Sequence, residues 1–178
     1  MYIDSDTQKY IFETINRDKL IYLINLGTTS IDDDAIYNTA RIILATINND
    51  LEAKTFMNNL SIHPLTTEKT FNILKQAYNE IYGNPEKTKD IIKDVIYEFG
   101  CTVSDKLVDI FSRENEVSSS QTIYTLVYKC ITLFSNQDDA NLFIDILNSR
   151  VNDIRVSEYC TLSRNHLRYI IKRRRIAI

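Results

Sequence analysis

The stretch SSSQTIYTLVYKCITLF, from Ser118 to Phe134, decides the fold because it is mostly apolar and carries a single charge, on Lys129. Its apolar residues recur every three or four positions, which marks one face of a helix: Ile123, Leu126, Val127, Cys130, Ile131 and Phe134. Two tyrosines and a leucine add bulk to the other faces, and a helix that is apolar on nearly every face is buried on nearly every face. Because Ser118 and Gln121 are spaced as a capping box, the sequence predicts a buried central helix at about 118–135.

Few helix-breaking residues are present, since the 178-residue chain contains 3 Gly and 2 Pro. This composition favours long helices over a β protein with many turns. With 44% hydrophobic residues, a chain of this length can bury a sizeable core as one domain. We therefore predict an all-α protein, a single bundle of about seven to eight helices around the central one.

Apolar stripes with helical spacing predict the helices on either side of the central helix. Gly27, Gly83 and Gly100 are typical helix ends, and Asn84-Pro85 is typical of a helix start. The stripes lie within 11–24, 36–47, 71–82, 91–99, 103–111, 142–154 and 162–178. Because the turn at Asn136–Asp139 is short, we expect the helix after it to form an antiparallel hairpin with the central helix.

The charge of the chain is unevenly distributed, although the net charge is only −3. Residues 158–178 contain one acidic and six basic residues, so this segment carries +5 and residues 1–157 carry −8. We therefore predict a helical domain at 1–157, with an N-terminal extension at 1–29, and a basic C-terminal segment at 158–178. The basic residues are Arg164, Arg168, Lys172, Arg173, Arg174 and Arg175.

The sequence lacks the motifs of common enzymes and metal sites. Two histidines, His63 and His166, are too few for a histidine-rich site, and the three cysteines do not have zinc-site spacing. It also contains no Gly-rich phosphate loop, GxSxG turn or HExxH helix. The acidic triplet at 32–34 lacks the glycine and the distal glutamate of a calcium loop. We therefore expect no enzymatic activity, no metal and no cofactor.

The basic C-terminal segment has three interpretations. Clustered Lys and Arg bind nucleic acid phosphates, although the acidic remainder of the chain would repel a duplex. The same cluster is attracted to the anionic surface of a membrane. It can equally be a solvated terminal helix. The sequence shows no apolar run of membrane-spanning length and no apolar signal region at its N-terminus.

The order of segments over Ile36–Ile154 resembles that of the divergent poxviral Bcl-2-like apoptosis inhibitors. A tyrosine-bearing run, AYNEIY at Ala77–Tyr82, precedes two helices, of which the second carries VSDKLVDIF at Val103–Phe111. A short polar link leads into the central helix, with SQTIYTLVYKCI at Ser120–Ile131. The hairpin helix NLFIDILNSRVNDI, at Asn141–Ile154, follows at the family's spacing. The resemblance implies a Bcl-2-like bundle in a viral protein.

Proteins of this family hold an amphipathic helix in a groove with apolar walls. The resemblance therefore implies a viral inhibitor of apoptosis that sequesters pro-apoptotic Bcl-2 proteins (Bim, Bak and Bax) by binding their Bcl-2 homology 3 helix. The candidate groove residues are Phe71, Leu74, Tyr78, Val95, Phe99, Val103, Leu107, Phe111 and Tyr124. The alternative interpretation of each is a residue of the core.

Two features depart from the family pattern. The family has an Arg or Lys at the start of the central helix, which pairs with an Asp of the ligand, whereas this chain has Ser118–Gln121 there. Arg113 is the nearest upstream substitute, and we include it among the groove residues. Family members often end in a hydrophobic mitochondrial anchor, whereas this sequence ends at Arg173–Ile178. One hypothesis is that an anchor has been cut off after its basic flank.

Two other functions stay open. Related poxviral proteins with this fold have a closed groove and inhibit innate immune (NF-kappaB) signalling. Alternatively, the chain is a helical nucleic-acid-binding module that uses Arg164–Arg175. Some relatives form domain-swapped homodimers, for which Thr28–Ser30 could act as a hinge. The expected location is the host cell cytoplasm, or the mitochondrial outer membrane if an anchor belongs to the chain.

Overall fold

The computed structural model describes residues 33–61, 68–113 and 116–177 of the chain. In these residues the backbone forms seven α-helices and no strand. In chain order the helices are α1 (Asp33–Ile47), α2 (Asp50–Ser61), α3 (Glu68–Tyr82), α4 (Thr88–Arg113), α5 (Glu116–Ile131), α6 (Gln137–Arg150) and α7 (Ile154–Ala177). The predicted all-α class is therefore confirmed.

The chain divides into two compact units, of which the first ends at Val95 and the second begins at Ile96. In the first unit α3 packs along α1, and α2 contacts both helices. Polar contacts also join α3 to α1, including a 3.3 Å ion pair between Lys69 and Asp33. The Tyr82 hydroxyl donates a hydrogen bond of 2.5 Å to the carbonyl oxygen of Leu44, and Arg41 forms a 3.1 Å ion pair with Glu80. The buried apolar residues of this unit include Leu44, Ala45, Ala53, Leu74, Ala77 and Ile81.

The second unit has a core of aromatic and branched side chains, which includes Ile123, Val127, Ile131, Phe134, Phe143 and Leu147. From Ile123 to Ile131 five residues are buried and four are half-buried, so the predicted burial is confirmed for the apolar face of this part of the central helix but not for its other faces. An antiparallel hairpin of α5 and α6 is predicted. The two helices touch, but α5 packs more extensively against α7 than against α6, and α7 also contacts α6. Periodicity identifies an apolar face without identifying the helix that covers it.

Gly100 lies within α4, so the prediction that a helix ends there is wrong. The two helices expected at 91–99 and 103–111 are parts of one helix of 26 residues. A Cβ atom on Gly100 would lie 2.6 Å from Cγ2 of Ile146, so α6 approaches the backbone of α4 directly at this position. Glycine therefore serves here for close packing, one of its known uses, and not as a helix stop.

The starts of α6 and α5 and the end of α3 can be compared with the capping and stop residues in the sequence. A helix begins at the predicted turn Asn136–Asp139, and Asn136 caps it, because its side chain accepts a 2.9 Å hydrogen bond from the Asp139 N–H. α3 ends directly before Gly83, also as expected. α5 begins at Glu116, so Ser118 lies within its first turn and is not its N-cap.

The C-terminal helices differ in length from those expected. α6 ends at Arg150, although its apolar stripe continues to Ile154. α7 begins at Ile154, eight residues before the start expected at 162, and the boundary drawn between 157 and 158 lies inside it. None of the described helices is long and apolar enough to cross a membrane. The predicted features within 1–32 and the residue His63 lie outside the described residues.

Candidate ligand-binding surface

The predicted groove residues do not all lie where a ligand could touch them. Five of them are at most 2% exposed and belong to the core: Leu74, Val95, Phe99, Val103 and Leu107. The expectation that these side chains line an open groove is therefore wrong for this structure. The alternative interpretation, a core residue, describes them instead. Their helical spacing is the same for either role, which is why the sequence left both open.

Four of the other predicted residues are half-buried: Phe71 and Tyr78 in the first unit, and Phe111 and Tyr124 in the second. Tyr78 is already engaged, because its ring stacks on Tyr82 at 5.3 Å between centroids. Its hydroxyl donates a hydrogen bond of 2.5 Å to Asp50. Burial and this carboxylate raise the pKa of Tyr78 to about 12, so the hydroxyl keeps its proton as a donor.

Phe111 and Tyr124 each contact a side chain of α7 in the second unit. The Arg155 guanidinium lies 5.0 Å from the centroid of the Phe111 ring. One helical turn further along α7, Tyr159 meets Tyr124 edge to face at 5.0 Å between centroids. Tyr124 stacks on Tyr128 at 5.8 Å, and Tyr128 lies 5.3 Å from the ring of His166. We call this set the aromatic strip: Phe111, Tyr124, Tyr128, Arg155, Tyr159 and His166.

Arg155 supplies a cation to the aromatic strip. Its Nε and one terminal nitrogen form a fork on the Asp153 carboxylate, at 3.1 and 3.0 Å. The hydrogen bond from Arg155 is the main reason why the pKa of Asp153 lies below its usual value. The guanidinium is therefore held in place over Phe111 by a carboxylate of its own chain. Arg113, the cation proposed from the sequence, ends α4, and its side chain lies outside the description.

We expect the Arg155→Gln substitution to raise the pKa of Asp153 towards its usual value, because the charged fork is lost. A carboxyl group with a lowered pKa stabilises the fold above its unfolded pKa of about 3.9, and this contribution is lost as the pH falls through the folded pKa. NMR titration of the Asp153 side-chain carboxyl carbon measures the change. Arg168→Gln, roughly 20 Å further along α7 at a rise of 1.5 Å per residue, is the control. A pKa that does not rise in Arg155→Gln would contradict the fork.

The sequence interpretation missed the contribution of α7 to this surface. It predicted an apolar helical stripe within 162–178 and a basic segment at 158–178, but no aromatic face, although Tyr159 and His166 are seven residues apart and therefore share one face of a helix. Tyr124 and Tyr128, four residues apart on α5, share a face in the same way. That spacing was a usable signal for each helix alone. It could not show that the two faces meet.

The predicted basic residues are only partly described. Arg164 is half-buried, with a nitrogen 4.0 Å from Asp145 of α6. Arg168 is exposed. The backbone of α7 continues through 172–175 to Ala177, and the side chains of those four residues lie outside the description.

A cavity of about 200 Å³ in the first unit is lined by Asn48, Asn49, Asp50, Tyr82, Pro85 and Thr88. It is smaller than the roughly 300–1,000 Å³ of most small-molecule pockets. Burial raises the pKa of the Cys130 thiol far above its usual value, and that of Cys160 to about 11. Among the described residues no group of three His, Cys, Asp or Glu side chains is placed to hold a metal ion.

Comparisons of the chain with protein-family models, with curated proteins and with solved structures found no match. The resemblance to poxviral Bcl-2-like proteins therefore stays a prediction. The aromatic strip is the candidate site that the described residues support best, and a function for this protein has to be argued from it.

Proposed function

We propose that this protein is a Bcl-2-like inhibitor of apoptosis that acts by binding the Bcl-2 homology 3 helix of pro-apoptotic proteins, with no chemical step. The aromatic strip is the observation that carries the proposal. It gathers half-buried rings from α4, α5 and α7 within one unit, where a partner can touch them. The resemblance in segment order supplies the class of partner.

The size and composition of the aromatic strip suit an amphipathic helix. On α7 it runs from Arg155 to His166, which is roughly 16 Å at a rise of 1.5 Å per residue, or about three turns of a docked helix. Such a ligand places apolar residues at positions i, i+4 and i+7 against apolar side chains of its partner. Tyrosine and arginine are among the residues that most often dominate the binding free energy of an interface.

The charge of Arg155 adds a preference for an acidic residue on the ligand. The guanidinium donates two N–H groups to the Asp153 carboxylate. A ligand carboxylate would replace Asp153 on this cation. In this chain Arg155 would thus take the role that the family gives to a cation at the start of the central helix.

The test is calorimetric titration with peptides of about 26 residues, or roughly seven helical turns, from Bim, Bak and Bax. We expect a Kd below about 1 μM for at least one of them. Phe111→Glu should weaken this binding at least about tenfold, because it places a carboxylate in the aromatic strip beside the acidic ligand residue.

Leu51→Glu is the matched control, because Leu51 is a large apolar residue of the first unit that is 75% exposed. It should leave peptide binding unchanged. Leu107→Glu is unsuitable, since Leu107 is fully buried and a charge there would unfold the protein. Circular dichroism confirms that each variant is folded. A folded protein that binds none of the peptides, or a Phe111→Glu variant that binds as well as Leu51→Glu, would overturn the proposal.

A further inference from the structure

The face of α7 that belongs to the aromatic strip contains two further residues, Leu162 and Tyr169. Leu162 lies three residues after Tyr159 and four residues before His166, and Tyr169 lies three residues after His166. Residues at these spacings are neighbours on one face of a helix. The whole face therefore consists of Arg155, Tyr159, Leu162, His166 and Tyr169, and we call it the α7 seam.

The two added residues form the outer edge of the α7 seam. Tyr159 is half-buried against Tyr124 of α5. By contrast, Leu162 is 57% exposed and Tyr169 is 58% exposed. A partner helix that touches the rings of the aromatic strip therefore meets an exposed leucine and an exposed tyrosine on the same side of α7.

The spacing along the α7 seam indicates how a second helix would lie on it. The steps alternate between four and three residues, as the contact positions of a coiled coil do. A face with this repeat stays turned towards a partner helix that crosses it at about 20°. At about 50°, the other common crossing angle, two helices separate after a short contact. Such a helix would not reach both Arg155 and Tyr169.

We propose that the ligand helix lies along the α7 seam for about four turns, with Leu162 as its central contact. This inference rests on the proposed function, because it concerns the same ligand. The seam runs from Arg155 to Tyr169, which is roughly 21 Å at a rise of 1.5 Å per residue. It is therefore about one turn longer than the part of α7 in the aromatic strip.

The arrangement specifies the chemistry of the ligand. A carboxylate of the ligand takes the place of Asp153 on Arg155 at one end of the seam. Leu162 and Tyr169 follow Arg155 by seven and fourteen residues. Because two helices packed in this way share a seven-residue repeat, apolar ligand residues seven and fourteen positions from the acidic one face Leu162 and Tyr169. The site thus selects a helix with an acidic residue at one end of a four-turn apolar stripe.

The composition of the α7 seam favours this ligand over a second copy of the chain. None of the five seam residues is acidic. A second copy docked through the same seam would bring no carboxylate to Arg155, whereas an acidic ligand helix complements its charge.

Calorimetric titration with the tightest-binding of the Bim, Bak and Bax peptides tests the proposal. We expect Leu162→Ala to weaken binding about fivefold or more, because an apolar contact at the centre of the interface is lost. Tyr169→Ala and Arg155→Gln should each weaken it about threefold or more. Effects at both ends of the seam are expected only for a helix that follows α7.

Two exposed residues outside the seam supply matched controls. Leu51→Ala removes an exposed leucine of the first unit, and Thr161→Ala changes the exposed neighbour of Leu162. Both variants should bind the peptide like the wild type, and circular dichroism confirms that every variant is folded.

The outcomes separate this inference from the proposed function. If Phe111→Glu weakens binding while Leu162→Ala or Tyr169→Ala binds like Leu51→Ala, the ligand does not follow α7, and this inference alone is overturned. A folded protein that binds none of the peptides overturns both. Self-association of the free protein in sedimentation velocity that is lost in Leu162→Ala would assign the seam to a second copy and overturn this inference.

Discussion

Phe143→Ala is expected to lower the free energy of unfolding by about 3–5 kcal/mol, the usual cost of removing a buried phenylalanine ring. Phe143 is fully buried in the second unit. Its ring stacks on Phe99 with centroids 5.0 Å apart, and it lies 5.3 Å from the ring of Phe134. Alanine would leave a cavity between these two rings and the helices that carry them. Since domains are stable by only about 5–15 kcal/mol, much of the stability would be lost.

Urea denaturation followed by circular dichroism measures this effect. Tyr97→Ala is the matched control, because it removes an aromatic ring that is 55% exposed, and such surface changes usually cost no more than about 0.5 kcal/mol. A Phe143→Ala variant within about 1 kcal/mol of the wild type would contradict the described core, because a fully buried ring costs more than that.

Gly100→Ala is expected to lower the free energy of unfolding by about 1–2 kcal/mol. In an open helix the same change stabilises by up to about 1 kcal/mol, because alanine is the better helix former. At Gly100 the new Cβ would lie 2.6 Å from Cγ2 of Ile146 and 3.1 Å from its Cβ. Overpacking of this kind costs about 1–3 kcal/mol, so the steric effect outweighs the gain in propensity.

A double-mutant cycle isolates the contact. Ile146→Ala alone removes buried atoms and is destabilising. Combined with Gly100→Ala, it also removes the clashing Cγ2, so the double variant should be more stable than the sum of the two single effects implies. Denaturation of the four proteins gives the coupling. Strict additivity, or a Gly100→Ala variant more stable than the wild type, would contradict the close approach of α4 and α6.

The all-α class could be predicted because its signals are local. A chain with 3 Gly and 2 Pro and with apolar residues at helical spacing has few alternatives to long helices. The burial of Ile123, Leu126, Val127, Cys130 and Ile131 followed from their helical spacing. The start of α6 followed from the turn at Asn136–Asp139 with its acidic residues.

Other features depend on tertiary contacts and could not be predicted. In the sequence, Gly100 is a typical helix end. Only its contact with Ile146 explains why the helix continues through it. For Leu107 and Phe111, one turn apart on α4, the same apolar stripe was read as groove wall. The structure buries Leu107 fully and leaves Phe111 half-buried beside Arg155. The partner helix decides this difference, and no local pattern encodes the partner.

The most direct test of helix binding at the aromatic strip is NMR of the protein with ¹³C-labelled tyrosine rings, saturated with an unlabelled Bim peptide. The expected result is a set of nuclear Overhauser contacts between the peptide and the rings of Tyr124, Tyr128 and Tyr159. Contacts confined to tyrosines of the first unit, such as Tyr37 and Tyr78, would contradict the account. A peptide that fails to bind the folded protein would contradict it as well.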